Sequence, residues 1–262
     1  MSEFVLYDAP QSTCSQRVRF VLNAKALAFE EHQLDLFAGD QLKPEYLAIN
    51  PNGVVPALLH AGRPVTDSAV IIEYLDEIRP DVACFTPEDP VERAGMRAMM
   101  RYIDEIPTPA IRVPSYNLAF LPHFQKMTEA EFVALAHSKP LRKEFLLTMG
   151  RAGFPQAEMD QALDRLSRAV ARMAQWLDES GGPWLMGARM TLADVAIMPV
   201  IVRMDDINLH GLWRAAPSVQ RWLDLVRAQA AFAPTYYFGS LLTEKYPHLS
   251  ELRRHRAAAA QA

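Results

Sequence analysis

Hydroxyl and thiol side chains gather near the start of the chain, in the segment Ser12-Thr13-Cys14-Ser15. The apolar run Phe4–Tyr7 before it predicts a strand, and an apolar stripe predicts a helix that begins near Ser12, the stripe being Val18, Val21 and Leu22. Free backbone N–H groups and the helix dipole at such a terminus favour a thiolate over a thiol. The segment could therefore hold an activated sulfur, although an ordinary serine or threonine N-cap has the same composition.

The spacing of these four residues indicates where a sulfur would come from. A redox protein carries Cys-x-x-Cys at a strand-to-helix junction, whereas this chain has Ser12 and Ser15 at the two cysteine positions. We infer that a ligand brings the sulfur and that the protein supplies a hydrogen bond to it.

Two later segments carry polar groups at the ends of predicted elements. A turn over Asn50–Gly53 leads into an apolar strand whose entry is Val55-Pro56, and proline cannot donate to a sheet ladder. This step predicts a special geometry, such as a cis bond that leaves nearby backbone groups free for a ligand. Asp67-Ser68 opens the next helix and puts a carboxylate and a hydroxyl beside free N–H groups.

The order and spacing of these motifs resemble the thioredoxin-like domain of a soluble glutathione S-transferase over residues 4–80. Ser12–Ser15 stands at the active-site helix of that family, Val55-Pro56 at its cis-proline and Asp67-Ser68 at its acidic glutathione motif. The stretch 12–19 is similar to the zeta class, which includes maleylacetoacetate isomerase.

The resemblance continues into the rest of the chain and implies its fold class. Residues 85–94 and 184–194 resemble the entry and a late helix cap of the family's helical domain. We therefore expect an α/β plus all-α fold, in four parts: a thioredoxin-like glutathione-binding domain (1–80), a linker (81–90), an all-helical domain that forms the second-substrate pocket (91–245) and a frayed tail (246–262).

The resemblance also implies glutathione as co-substrate and a role for each motif. Ser12 is the first choice for the hydroxyl that donates to the sulfur, because it occupies the first position of the Cys-x-x-Cys frame, and Thr13, Cys14 and Ser15 compete for the role. The expected glutathione contacts are Gln41 and Lys43 at the glycyl end, Val55 with Pro56 at the cysteinyl unit, and Asp67 with Ser68 at the γ-glutamyl end.

Prolines at 107, 109, 114 and 122 interrupt what the resemblance predicts to be long helices facing the sulfur. Such a broken segment could form a roomy pocket for a bulky acceptor, or it could be an irregular loop packed by its own side chains. The candidate pocket residues are Arg112, Tyr116, Asn117 and Phe120. Residues 89–94 and 153–156 resemble, more loosely, bacterial transferases related to the β-aryl-etherases.

Composition and charge indicate which partners and which compartment to expect. A formal net charge of −4 argues against nucleic acid or an anionic membrane as the main partner, and no apolar segment reaches the about 20 residues of a membrane span. The two cysteines suggest a reducing, cytoplasmic setting, and the seven scattered histidines predict no metal site. The family resemblance implies a homodimer.

These observations leave three functions open. The leading one is a glutathione transferase that attacks a hydrophobic, aromatic electrophile, with β-aryl ether cleavage as one form and detoxification or aromatic catabolism as its role. A zeta-like cis/trans isomerase would add glutathione and release it again. A non-catalytic binding module is the third, because a fold alone does not dictate activity.

Overall fold

Four strands form the sheet of the first domain: β1 (Phe4–Asp8), β2 (Phe29–Gln33), β3 (Ala57–His60) and β4 (Arg63–Thr66). The protein was analysed as a computed structural model, which describes residues 3–249 and 251. The strand order is β2-β1-β3-β4, with β2 parallel to β1 and β3 antiparallel to both of its neighbours. This mixed sheet confirms the predicted thioredoxin-like half.

Three helices belong to the same domain: α1 (Thr13–Ala24), α2 (Pro44–Leu47) and α3 (Ser68–Ile78). The apolar stripe predicted for α1 is fully buried, and α3 buries Ile71, Ile72 and Leu75 in the same core. Burial of these stripes against the sheet fixes how both helices enter the domain, because apolar area removed from water stabilises the packing.

Strand register brings the polar motifs to one edge of the sheet. Ala57, at the start of β3, lies opposite both Tyr7 near the end of β1 and Thr66 at the end of β4. The residues that follow β1 and β4 and those that precede β3 are therefore neighbours. The peptide bond between Val55 and Pro56 is cis, as the sequence predicts.

Helices make up the second domain. They are α4 (Pro90–Glu105), α5 (Pro107–Ser115), α6 (Leu121–Phe124), α7 (Glu129–Ser138), α8 (Lys143–Met149), α9 (Gln156–Ser180), α10 (Leu192–Asp206), α11 (Pro217–Arg227), α12 (Phe232–Thr235) and α13 (Leu242–Lys245). A π-helical turn (Tyr116–Phe120) joins α5 to α6, and 3₁₀ turns span Asp40–Leu42, His210–Trp213 and Pro247–Leu249. Helix α10 is buried along most of its length and forms the centre of this domain.

The expectation of a frayed tail over 246–262 is corrected for its first residues. The Tyr246 ring lies 5.6 Å from the Phe120 ring, and Leu249 is buried in the main core. These contacts fold the chain back onto the helical domain as far as Leu249. The rest of that prediction concerns Ser250 and residues 252–262, which lie outside the described residues.

A buried arginine joins the two domains beneath α1. The Arg17 side chain is 2% exposed, and its guanidinium forms an ion pair with Asp104 of α4 at 2.6 Å. It also donates to the Ala196 carbonyl of α10 at 2.8 Å, to Thr108 of α5 at 2.9 Å and to Ser68 of α3 at 3.3 Å. A buried charge is tolerated only when it is paired and hydrogen-bonded, and here every partner lies on another helix.

We predict that Arg17→Met lowers the free energy of unfolding by about 3 kcal/mol, because it leaves the partners of the guanidinium unsatisfied. Urea denaturation measures this directly. Arg168→Met is the matched control, since Arg168 is 67% exposed and pairs with Asp164 at 2.8 Å on the surface of α9; we expect it to cost less than about 1 kcal/mol. Equal costs for the two variants would contradict the role given to Arg17.

Candidate active site

The N-terminus of α1 is capped in a way that leaves a hydroxyl proton free. Ser12 is the N-cap residue, in extended conformation, and its Oγ accepts the Ser15 N–H at 3.2 Å. No acidic residue lies in the first turn, so the positive end of the helix dipole is not compensated within α1. The Ser12 hydroxyl can therefore donate to a third atom while it caps the helix.

This helix end opens into a cavity of about 490 Å³ between the two domains. Ser12, Thr13 and Cys14 line the cavity, as predicted for the candidate donors. Ser15 does not: its side chain is fully buried, and its Oγ accepts the Ala9 N–H at 3.5 Å. The structure thus removes Ser15 from the candidates, because its hydroxyl supports the turn before α1 rather than facing a ligand.

The cis-proline loop forms a second wall of the cavity. Val54 and Val55 line it, and the Val54 carbonyl accepts from the Tyr46 hydroxyl at 2.6 Å and from Asn50 Nδ2 at 2.7 Å. These two bonds fix the loop from behind. Pro56 is buried and enters β3 directly after the cis bond.

The two residues predicted for the glycyl end of glutathione have different environments. Gln41 is 4% exposed and lines the cavity, where its Nε2 donates to the Leu36 carbonyl at 3.2 Å and its Oε1 has no partner among the described residues. Lys43 is 62% exposed, pairs with Asp40 at 2.7 Å and does not line the cavity. The structure therefore brings Gln41 to the site and leaves Lys43 at its outside.

Asp67 and Ser68 lie beside the cis-proline but outside the cavity itself. Asp67 is the N-cap of α3: its Oδ1 accepts the N–H groups of Ala69 at 2.9 Å and Val70 at 3.3 Å. Its φ of 73° is rare for a residue with a side chain, and such strain concentrates at ligand sites. Ser68 is buried and accepts from Arg17, which ties this helix start to the domain boundary.

The proline-interrupted segment of the helical domain faces the first domain across the cavity. Arg112, Tyr116 and Phe120 line the cavity, which favours the pocket over the self-packed loop. Asn117, which was expected in the pocket, lies elsewhere. Its side chain does not line the cavity but accepts the Phe154 N–H at 2.8 Å and donates to the Phe154 carbonyl at 3.2 Å, so it fastens the loop before α9.

Family models match both halves of the chain. A model of the glutathione S-transferase N-terminal domain matches residues 11–78, and a model of the C-terminal domain matches residues 156–225. A probable maleylacetoacetate isomerase from Caenorhabditis elegans is 32% identical over 205 residues, which cover 78% of this chain and 80% of that relative. The chain belongs to the glutathione S-transferase family.

Other relatives refine the similarity. Protein LigF from Sphingobium sp. (strain NBRC 103272 / SYK-6) is 29% identical over 237 residues, 86% of this chain and 90% of LigF. The crystal structure of beta-etherase LigF superposes with a TM-score of 0.80 at 28% identity, over 89% of this chain and 98% of that one. Glutathione transferase F2 from Populus trichocarpa shares the fold, with a TM-score of 0.71 at 22% identity over 88% and 96% of the two chains. The predicted family, two-domain fold and transferase class are confirmed.

Several residues that line the cavity of this transferase were not predicted. Phe37 reaches across from the first domain, with its ring 4.2 Å from that of His123 and 5.5 Å from that of Phe120. The apolar run Leu36-Phe37-Ala38 directly after the predicted second strand is the sequence signal that could have indicated this contact. The other lining residues that the sequence did not indicate include Lys139, Arg142, Arg203, Lys245 and Tyr246.

Burial shapes the charges in this cavity. It raises the pKa of the Tyr116 hydroxyl, which therefore stays protonated at neutral pH. It also lowers the pKa of His123 below its usual value, so the imidazole is neutral at pH 7. The His123 Nε2 atom is buried and has no partner among the described residues. The aromatic wall is thus apolar with a few isolated polar atoms, as small-molecule sites are.

No metal centre accompanies these groups within residues 3–249 and 251, where no cluster of three or more His, Cys, Asp and Glu side chains could hold an ion. In the same part of the chain, no helix has both the length and the apolar character needed to cross a membrane.

Proposed function

We propose that the cavity binds glutathione along the edge of the first domain and that the end of α1 activates its thiol. The observation that carries this proposal is the Ser12 hydroxyl, which accepts the Ser15 N–H and faces the cavity with its proton free. A hydrogen bond to sulfur, added to the uncompensated helix terminus, stabilises the thiolate and lowers its pKa. The attacking fraction at neutral pH rises accordingly.

The remaining glutathione contacts follow the same edge. The buried Oε1 of Gln41 has no partner among the described residues and can accept the N–H of the glycyl residue, and its side chain is already held in place by the bond to the Leu36 carbonyl. Val55 and Pro56 meet the cysteinyl unit through backbone groups. Asp67 and Ser68 meet the γ-glutamyl end, where the carboxylate pairs with the amino group and the α3 terminus favours the ligand's carboxylate. Lys43 acts only from outside the cavity.

The electrophile occupies the wall formed by the helical domain. Tyr116, Phe120 and Phe124 supply aromatic surface there, and Phe37 closes the cavity from the first domain. The similarity to LigF, which is described as a beta-etherase, supports an aryl ether as the acceptor. The glutathione sulfur would form a bond to the ether carbon as the bond between that carbon and the aryl oxygen breaks. The aryl oxygen leaves with the bonding electrons and takes a proton from solvent.

The C. elegans relative, a probable maleylacetoacetate isomerase, supports isomerisation as the second candidate function. The two reactions differ in their use of glutathione: ether cleavage consumes one glutathione per product, whereas isomerisation returns it. Quantifying free thiol during turnover of a β-aryl ether and of a maleyl compound separates them. Glutathione binding without turnover of either compound would support a binding module instead.

We also propose a cytoplasmic homodimer that acts in aromatic catabolism or detoxification. Both cysteines are free thiols, which suits a reducing compartment. Val70 and Val91 are exposed at the starts of α3 and α4, and the ion pair between Glu73 and Arg97 joins the same two helices. This face is therefore our candidate for the contact between subunits.

We predict that Ser12→Ala lowers kcat/KM by more than about tenfold, because a hydrogen bond to a charged group contributes about 1.5–3 kcal/mol. The dissociation constant of glutathione, measured by calorimetry, should hardly change, since the backbone contacts remain. Steady-state kinetics gives the loss of activity.

Thr13 and Cys14 also line the cavity and are the competing donors. The variants Thr13→Val and Cys14→Ala test them. Both variants should keep most of the activity. If Thr13→Val or Cys14→Ala lowers kcat/KM while Ser12→Ala leaves it unchanged, Ser12 is not the donor. A loss of activity confined to Cys14→Ala would indicate thiol transfer through a mixed disulfide.

We predict that Asp67→Asn raises the KM for glutathione several-fold with a similar kcat, because this contact is far from the sulfur and equal in ground and transition states. Asparagine retains the N-cap and removes only the charge. Asp67→Ala is the comparison variant and should also lower the thermal stability through loss of the cap, which contributes about 1 kcal/mol. An unchanged KM in Asp67→Asn would remove the carboxylate from the site.

A further inference from the structure

We propose that Arg112 and Arg142, together with the Tyr116 hydroxyl, form an anion subsite that selects aromatic electrophiles carrying a carboxylate. This inference rests on the proposed function, because it names the class of acceptor for the same cavity. The two guanidinium groups come from different parts of the helical domain, the last turn of α5 and the residue before α8.

Both arginines line the cavity that the end of α1 opens into. Cys14 lines the same cavity, Arg112 lies one helical turn before Tyr116, and the Tyr116 ring packs 4.9 Å from the ring of Phe145, in the first turn of α8 directly after Arg142. The arginines and the phenol therefore share one corner of the cavity, close to the position proposed for the sulfur.

Neither guanidinium has a carboxylate partner among the described residues. Arg142 donates only to the Leu141 carbonyl, at 2.9 Å, and Arg112 has no side-chain hydrogen bond there. Arg17 and Arg19, which are both buried, are paired with carboxylates, Arg17 with Asp104 at 2.6 Å and Arg19 with Asp8 at 2.8 Å, and the buried Arg203 donates to the Gln11 carbonyl and to the Ser115 hydroxyl. Arg112 and Arg142 thus lack the carboxylate partners that Arg17 and Arg19 have.

Two like charges close together in a partly desolvated corner repel each other. Burial lowers the pKa of Arg142, and the charge of Arg112 lowers it further. Burial also lowers the pKa of the nearby Lys139. An anion placed between the guanidinium groups would relieve the repulsion, and the forked N–H donors of arginine match a carboxylate in geometry.

The cavity itself offers little negative charge to neutralise this corner. Its lining includes five cationic side chains, which are Arg112, Lys139, Arg142, Arg203 and Lys245. Among the described residues of the lining, Asp35 is the one acidic residue, and its Oδ1 already accepts the N–H groups of Phe37 at 2.9 Å and Ala38 at 3.0 Å. A negatively charged ligand would therefore be stabilised in this corner.

Glutathione carries two carboxylates, but the edge of the first domain takes both of them. The γ-glutamyl carboxylate goes to the start of α3, outside the cavity, and the glycyl carboxylate goes to the region beside Gly53, while the Gln41 Oε1 accepts the glycyl N–H. Lys139 is the cation for that end, since a Cβ placed on Gly53 would lie 3.4 Å from the adjoining Pro140. Arg112 and Arg142 are then left for the electrophile.

The binding of matched glutathione conjugates tests the anion subsite without relying on turnover. The probes are S-benzylglutathione and its meta- and para-carboxybenzyl derivatives, with the neutral carboxamides as isosteres. By calorimetry, we expect at least one carboxybenzyl conjugate to bind about tenfold more tightly than its carboxamide, a difference of about 1.4 kcal/mol. The preference should weaken at high salt.

Arg112→Gln and Arg142→Gln should each remove most of this preference, and Arg142→Lys should retain part of it. The matched control is Arg165→Gln, at an exposed position of α9 outside the cavity, which should leave all affinities unchanged. Equal binding of carboxylate and carboxamide by the wild type overturns the subsite. Equal weakening of all conjugates by the arginine variants also overturns it, because the arginines would then hold glutathione. If no conjugate binds, the proposed function itself fails.

Discussion

The structure depends on the buried guanidinium of Arg17, which fixes α1 against three helices of the second domain and against the start of α3. Because all of these partners lie on other elements, this side chain holds α1 in one position relative to the helical wall, together with the bonds from Gln16 to the Ser240 carbonyl and from Asn23 to Thr235. The cavity exists only at that relative position. The end of α1 would otherwise face solvent, where water screens the helix dipole and competes for its N–H groups.

Two arginine side chains hold the turn before α1, and this leaves the Ser12 hydroxyl free for a ligand. Arg203 of α10 donates to the Gln11 carbonyl at 2.5 Å, and Arg19 donates to the Pro10 carbonyl at 2.8 Å. The Ser12 hydroxyl therefore needs only its accepting role for folding. Its donating role is available to a sulfur without any rearrangement, which is the kind of preorganisation that lowers the cost of stabilising charge.

Local signals predicted much of this site. The α1 terminus, the cis bond at Pro56 and the Asp67 cap are each encoded within a few residues, so sequence reasoning found them. It could not tell which side of an element faces the cavity: Ser15 supports the preceding turn, Asn117 fastens Phe154, and Lys43 pairs with Asp40. The residues Phe37, Lys139, Arg142 and Arg203 were missed because only tertiary packing, between segments far apart in the chain, brings them to the cavity.

The central claim is that this arrangement stabilises a thiolate supplied by glutathione. It is tested most directly by titrating glutathione bound to the wild-type protein and following the ultraviolet absorbance of the thiolate. The account predicts a pKa clearly below the value of about 8.5 that is usual for a free thiol, so that the bound sulfur is largely ionised at neutral pH. Bound glutathione that titrates like the free peptide would contradict the account, whatever else the cavity binds.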